Sequence, residues 1–234
     1  MRIITSINGL LRSLAGSIGQ ASGEGRFFTT GLPAIDALAP GGGFVRGAVH
    51  EVLCDDARLG VLPILLAKVA AGDGAVMWCD FERVFYPPAA ARMGLPLDRL
   101  VVVRPANKTD ELWAVNECLR CKGVSVCVAP VNRLSRVQAR RIQLAAETGG
   151  GIGLLLRPAS ALHTPYAAAT RWWVQSVRGE RTVQRWSVEL IHGHGGRVGQ
   201  TVLLERCRET HHVRAVETVV HRSGQPQTTK IATA

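Results

Sequence analysis

No apolar run in this sequence approaches the roughly 18 residues that a membrane-spanning helix needs. No membrane partner is therefore expected, and a cytoplasmic setting is. Acidic residues are also few, 18 Asp+Glu against 28 Lys+Arg in 234 residues. The shortage is uneven: residues 1–130 carry 13 basic against 12 acidic side chains, and residues 131–234 carry 15 against 6. A basic C-terminal half suits a polyanion or an acidic protein surface. The six cysteines lack the spacing of a zinc framework, because Cys118-x-x-Cys121 has no second pair. Cys79 and Cys127 lie inside apolar runs, which points to buried free thiols in a reducing compartment rather than to disulfides. His192-x-His194 and His211-His212 have no carboxylate or Cys to complete a ligand set, so no metal site is expected.

What is present is mostly α/β patterning. Ile3, Ile4, Ile7, Leu10, Leu11, Leu14 and Ile18 fall at helical spacing and predict an amphipathic helix over 3–18, with Gly16 to Gly25 as a flexible tether. Such a helix on a tether is a docking element, with Ile7, Leu11 and Leu14 on its apolar stripe. Ala48 to Leu53 reads as a buried strand, Ile64 to Ala71 as a buried helix and Ala75 to Cys79 as a second strand. A short helix over Pro87–Met93, a strand at Val101–Val103 and a helix capped by Thr109 follow. Next come a strand over Val124–Ala129, a helix Arg136–Glu147 capped by Ser135, and a strand at Ile152–Leu156. In that last helix Val137, Ile142, Leu144 and Ala145 are placed to face a sheet. Strands alternating with helices predict a mostly parallel, doubly wound sheet. From Trp172 onward four strand-like runs joined by Gly-containing turns predict an antiparallel meander that extends it. The expected organisation is a helix and linker over 1–26, a core with its meander over 27–222, and a disordered tail over 223–234.

The turn between the first core strand and its helix is chemically unusual. Strand–turn–helix–strand is the unit in which nucleotide-binding proteins place GxxxxGK[ST], whose amides, Lys and hydroxyl hold phosphate and Mg²⁺. Here the turn reads Cys54, Asp55, Asp56, Ala57, Arg58, Leu59, Gly60, Val61. It has no Lys and no Ser or Thr, and two carboxylates stand where phosphate would sit. No nucleotide or other cofactor is expected.

Several segments together resemble the RecA core and, more closely, the ImuA family of RecA-like accessory proteins, which overlaps a SulA-like family. The resemblance rests on Thr30-Gly-Leu-Pro-Ala-Ile-Asp36, Gly41-Gly-Gly43, Arg46-Gly47, Glu51, Asp80-Phe-Glu82 and Gly94-Leu-Pro-Leu-Asp-Arg-Leu100. Its most specific part is Asn132-Arg-Leu-Ser135, Arg140-Arg-Ile-Gln-Leu-Ala-Ala-Glu147, Gly149-Gly150 and Leu154-Leu-Leu-Arg-Pro158. It covers roughly residues 29–205 and implies a RecA-like, P-loop NTPase-type fold. It also puts Glu82 at the catalytic-glutamate position and Ala129 where the Walker B strand should offer an Asp to magnesium. With the Lys and that Asp both gone, the charge stabilisation on which phosphoryl transfer depends is missing. Glu82 is then expected to be inactive, and the protein not to be an enzyme.

On the same resemblance the chain is expected to act as an adaptor of the SOS mutasome. It would support translesion synthesis with ImuB, a polymerase-like scaffold, and an error-prone DNA polymerase, with RecA and further copies of itself as other contacts and DNA reached indirectly. A divergent ATPase and a SulA-like inhibitor of cell division are the alternatives. The first DNA loop of RecA is reduced to Pro130–Leu134, and the second, Ala159–Thr170, is short. Arg140, Arg141, Arg171 and Trp172 are the candidates for nucleic-acid or partner contact, because aromatics beside arginine can stack bases. Trp172 and Trp173 must point to opposite faces of their strand, so at least one belongs to a core.

Overall fold

The structure is a computed structural model that describes residues 2–4, 25–54, 61–164 and 168–220, with backbone alone over 2–4 and 217–220. The strands are β1 (Arg2–Ile4), β2 (Phe27–Phe28), β3 (Phe44–Val45), β4 (Ala48–Cys54), β5 (Ala75–Cys79), β6 (Leu100–Val103), β7 (Val124–Pro130), β8 (Ile152–Pro158), β9 (Thr170–Val177), β10 (Val183–His192), β11 (Gln200–Cys207) and β12 (Val213–Val220). The helices are α1 (Pro33–Asp36), α2 (Val61–Ala70), α3 (Pro87–Arg92), α4 (Thr109–Arg120) and α5 (Arg136–Gly149), with 3-10 turns at Pro40–Gly42 and Ala159–His163. Ten strands form one sheet in the order β1-β6-β5-β7-β8-β4-β9-β10-β11-β12, and β2 pairs with β3 beside it. All pairings from β1 to β9 are parallel, and those from β9 to β12 are antiparallel.

Strand alternation divides the core into two layers. Val52, Val76, Trp78, Val126, Val128, Ile152, Leu154 and Leu156 pack with α2 and α3 on one face. Val49, Met77, Cys79, Val101, Val103, Cys127, Ala129 and Leu155 pack with α4 and α5 on the other. Strands buried on both faces read as continuous Val/Ile/Leu runs, which is why the parallel sheet is visible in the sequence. Among the described residues no helix is long and apolar enough to cross a membrane.

Three local expectations need correction. Residues 3–4, expected as the start of a helix, form β1, in parallel register with β6 at the sheet edge. Adjacent β-branched Ile3 and Ile4 suit that edge better than a helical turn. Ile7, Leu11 and Leu14 lie outside the described residues. Thr109 is the first residue of α4 rather than its cap; Asn107 Oδ1 accepts from the Asp110 N–H at 3.0 Å instead. In α5, Ile142 and Ala145 are buried as expected, but Val137 is 63 % exposed and Leu144 44 % exposed. The buried stripe runs instead through Ala139, Ile142, Ala145, Ala146 and Gly149. Ser135 does cap α5, in a reciprocal box with Gln138.

The small β2–β3 sheet is held on the main one by aromatic packing and a hydrogen-bond chain. Phe44 stacks on Trp172 with centroids 5.0 Å apart and meets His50 edge-on at 5.1 Å. Burial pushes the His50 imidazole down to about 4, so the ring is neutral. Its Nε2–H donates to the Val45 carbonyl at 3.0 Å, leaving Nδ1 to accept from the Thr170 hydroxyl at 2.7 Å. The unfolded chain takes up this proton near pH 6.5 and the folded chain only near 4. Between those values the unfolded state holds more protons, so stability falls as pH drops. About 3 kcal/mol, fully present above pH 6.5, is expected to be lost by pH 4. Urea midpoints across this range should fall less steeply for His50→Gln than for the parent; parallel profiles would mean that the imidazole is protonated in place.

Candidate functional site

The seven residues of β4 are all buried and aim the chain at the loop where a phosphate cradle would stand. Cys54 and Val61, at the two ends of that loop, are buried in the α2 layer. Asp55, Asp56, Ala57, Arg58, Leu59 and Gly60 lie outside the described residues. Ala129, at the Walker B position, has no exposure and packs in the α4–α5 layer. Glu82 sits exposed in the turn after β5. It is near enough to Glu111 of α4 to help raise that carboxyl, whose larger cause is desolvation.

The neighbouring Asp80 is the better-fixed acid. It is buried, and its Oδ1 accepts from the N–H groups of Val84 and Phe85 at 2.8 and 3.0 Å. Its Oδ2 accepts a fork from Arg104, at 3.0 Å from Nε and 2.7 Å from Nη2. Asp80 thus pins the turn that presents Glu82, and Phe85 stacks on Trp78 within it at 4.1 Å. The sequence offered Asp80 only as part of the Asp-Phe-Glu resemblance; its partner lies 24 residues on.

Across the middle of β4, the C-terminal end of β8 and the N-terminal end of β9, an ion network is sealed from water. Glu51 is 1 % exposed and uses both carboxylate oxygens, Oε1 for Arg157 Nη1 and Oε2 for Arg171 Nε, each at 2.9 Å. Arg171 Nη1 and Nη2 also donate to the carbonyls of Leu162 and Ala161 at 3.0 and 2.9 Å. This places a predicted contact residue differently. Arg171 is 4 % exposed and committed to the fold, clamping the 3-10 turn where the second DNA loop was expected. Trp172 is likewise withdrawn, fully buried against Phe44, with Nε1–H donating to the Thr170 hydroxyl at 2.8 Å. Trp173 faces the other side and is half-buried. His163 is exposed, and Tyr166 falls in 165–167, outside the described residues.

Arg140 and Arg141, the other two contact candidates, are exposed on α5. Arg140 has a distant carboxylate, Glu147, at 3.8 Å. Arg141 lines an open groove of about 580 Å³ between α4 and α5, with Leu112, Trp113 and Leu144 on its floor and rim. Trp113 is 44 % exposed, a large aromatic on a helix surface whose position the helical period alone would have revealed.

The cysteines regroup. Cys79, Cys118 and Cys127, from β5, α4 and β7, bring their sulfurs within 4.8 Å of one another, all buried. Cys121 is half-buried and is not one of the three sulfurs of this cluster. Hydrogen bonds from the other two draw the Cys127 thiol below its ordinary range; thiol hydrogen bonding, then burial, pushes Cys79 and Cys118 well above theirs. A divalent ion on three thiolates would leave net negative charge unpaired in this apolar layer. As packed, the three are core groups.

No protein-family model matches the chain. Protein ImuA of Caulobacter vibrioides, in two strains, is 29% identical over 197 aligned residues, covering 74% of this chain and 81% of the relative. The mitochondrial DNA repair protein recA homolog of Dictyostelium discoideum is 30% identical over 101 residues, covering 42% of this chain and 22% of that protein. Among solved structures, the RadB recombinase superposes with a TM-score of 0.63 at 15% identity, over 81% of this chain and all of that one. That likeness is one of fold: a mostly parallel RecA-like sheet, extended here by antiparallel strands. With the ImuA match spanning most of both sequences, the chain is similar to ImuA over most of its length and has a RecA-like fold.

Proposed function

We propose that this protein is a non-catalytic, RecA-like adaptor in DNA-damage-induced mutagenesis. It joins an ImuB-type polymerase scaffold and an error-prone DNA polymerase during translesion synthesis, in the cytoplasm. The observation that carries the reading is selective loss. The RecA-like layers are intact, while the loop from Cys54 to Val61 has no Lys, Ser or Thr, and the magnesium-ordering position is the buried Ala129. A fold kept while its chemistry is removed serves through its surfaces. The exposed apolar groove between α4 and α5, flanked by Arg140 and Arg141, is one surface available for that role.

Equilibrium dialysis of labelled ATP with Mg²⁺ tests the non-catalytic half. No saturable binding is expected up to about 1 mM ligand, the weak end of specific affinities. A micromolar Kd would transfer the reading to a divergent ATPase, with Glu82 as the group to mutate next. Co-purification of the full chain with an ImuB-type scaffold tests the other half, and its failure at physiological salt would remove the adaptor role.

A further inference from the structure

A second cleft lies away from the emptied loop, on the α2–α3 side of the sheet. It is bounded by the C-terminal part of α2, the turn between α3 and β6, and the β11–β12 hairpin, and holds about 390 Å³. That is within the range of small-ligand sites. Lys68 stands seven residues along α2 from Val61, about 10 Å at helical rise, so this cleft is distinct from the phosphate-loop position.

Four observations converge on it. Its lining includes Lys68, Arg92, His211 and His212 and contains no Asp or Glu. Lys68 and Arg92 are exposed and form no ion pair with any described residue. Gly94 has φ +94°, and a Cβ there would come within 2.9 Å of Lys68 Cε and 3.1 Å of Nζ. The glycine therefore gives the ammonium its resting place against the turn. Finally, His211 holds a left-handed φ of 59°, strained for a side chain that is not Gly, and its Nδ1 is buried without a hydrogen-bond partner. Strain and an unsatisfied ring nitrogen at one residue on a cation-lined wall mark a place prepared for an acceptor-rich anion.

We infer that this cleft binds a phosphate group, with Lys68 and Arg92 as its cations and the His211–His212 turn on its wall supplying a ring N–H donor. A phosphate offers more negative charge and more acceptor oxygens than a carboxylate, which suits two cations and a ring N–H better. The group arrives either on the backbone of a single-stranded nucleic acid or as free phosphate. The inference is independent of the adaptor reading, since neither ATP binding nor a polymerase partner enters it.

The test uses the full chain, the K68E/R92E double variant and Gly94→Ala. Histidine side-chain NMR is followed during titration with inorganic phosphate, and anisotropy of a labelled oligo-dT is measured over a salt series. In the parent, inorganic phosphate is expected to shift the His211 resonances, and the double variant should lose that shift. If the source is nucleic acid, the double variant also loses at least tenfold in oligo-dT affinity, and its salt slope flattens by about 1.4, at roughly 0.7 per phosphate. An oligo-dT affinity unchanged by K68E/R92E, with the phosphate shift present, assigns free phosphate as the ligand. Gly94→Ala displaces the Lys68 ammonium without altering net charge and should weaken whichever ligand binds. Absence of a histidine shift in the parent overturns the site. So does a loss in the double variant that Gly94→Ala fails to reproduce, because long-range charge alone would then account for it.

Discussion

Glu51→Ala is expected to lower the unfolding free energy by about 3–5 kcal/mol, the usual cost of removing one partner from a buried ion network. Two guanidinium groups, on Arg157 and Arg171, would lose their shared carboxylate while only 2 % and 4 % exposed. Neither has a full set of substitutes. Arg157 keeps a long contact with the Thr164 hydroxyl at 3.4 Å, and its Nε is already unpartnered. Arg171 keeps the two carbonyls of Ala161 and Leu162, but their dipoles do not neutralise a buried cation. Glu51→Gln retains acceptor geometry for one arginine and should lose less. The apolar triple variant Glu51→Leu, Arg157→Met, Arg171→Met should recover most of the loss, since dry packing costs no desolvation. Urea unfolding reads this directly: midpoints should shift at constant slope. A loss below about 1 kcal/mol for Glu51→Ala would mean that water reaches the guanidinium groups, as at surface pairs. The network fastens Ala159–His163, the segment after β8 where the resemblance to RecA puts a second DNA loop.

Much of this fold was legible because it is written in local signals. Val101–Val103 and Ile152–Leu156 are unbroken apolar runs, Val124–Ala129 is interrupted only by Ser125, and Ser135 with Gln138 is a cap that needs no tertiary context. The loop's departure from the phosphate-binding motif was legible for a different reason: that motif demands Lys and Ser or Thr at fixed spacing, and residues 54–61 contain none of them. What could not be read was which face of an element meets another element. Arg171, Trp172 and Trp173 alternate as a strand must, but only the fold shows that the 3-10 turn closes over Arg171 and that β3 closes over Trp172. The period of α5 was right and its phase was not, because small residues (Ala139, Ala145, Ala146) let the helix sit close to the sheet while Val137 and Leu144 point outward. The three-thiol cluster was invisible for the same reason, since its members come from β5, α4 and β7. The anion cleft joins α2 to a hairpin more than 140 residues later, a separation no spacing rule addresses.

Trp172→Ala separates the two roles that the sequence left open for this residue. As packed, Trp172 has no exposure, stacks on Phe44 and donates to Thr170, whose own hydroxyl bonds His50. Truncation should therefore cost about 3–5 kcal/mol, the range for deleting a large aromatic from a core. Part of that loss is cavity. Part is the unseating of the β2–β3 sheet, which reaches the main sheet through Phe44 and through the His50–Val45 hydrogen bond. Trp172→Phe keeps an aromatic ring against Phe44 and removes the indole N–H, so a smaller loss of about 1–3 kcal/mol is expected, from the vacated volume and the lost bond to Thr170. The base-stacking role makes the opposite forecast. It expects Trp172→Ala to leave the urea midpoint unchanged while weakening single-stranded DNA by about 1–3 kcal/mol, with Trp172→Phe close to neutral. A large midpoint shift, with DNA affinity of the folded fraction intact, places Trp172 in the core. It also leaves Arg140 and Arg141, exposed on α5, as the remaining contact candidates of the sequence, beside the proposed Lys68–Arg92 cleft.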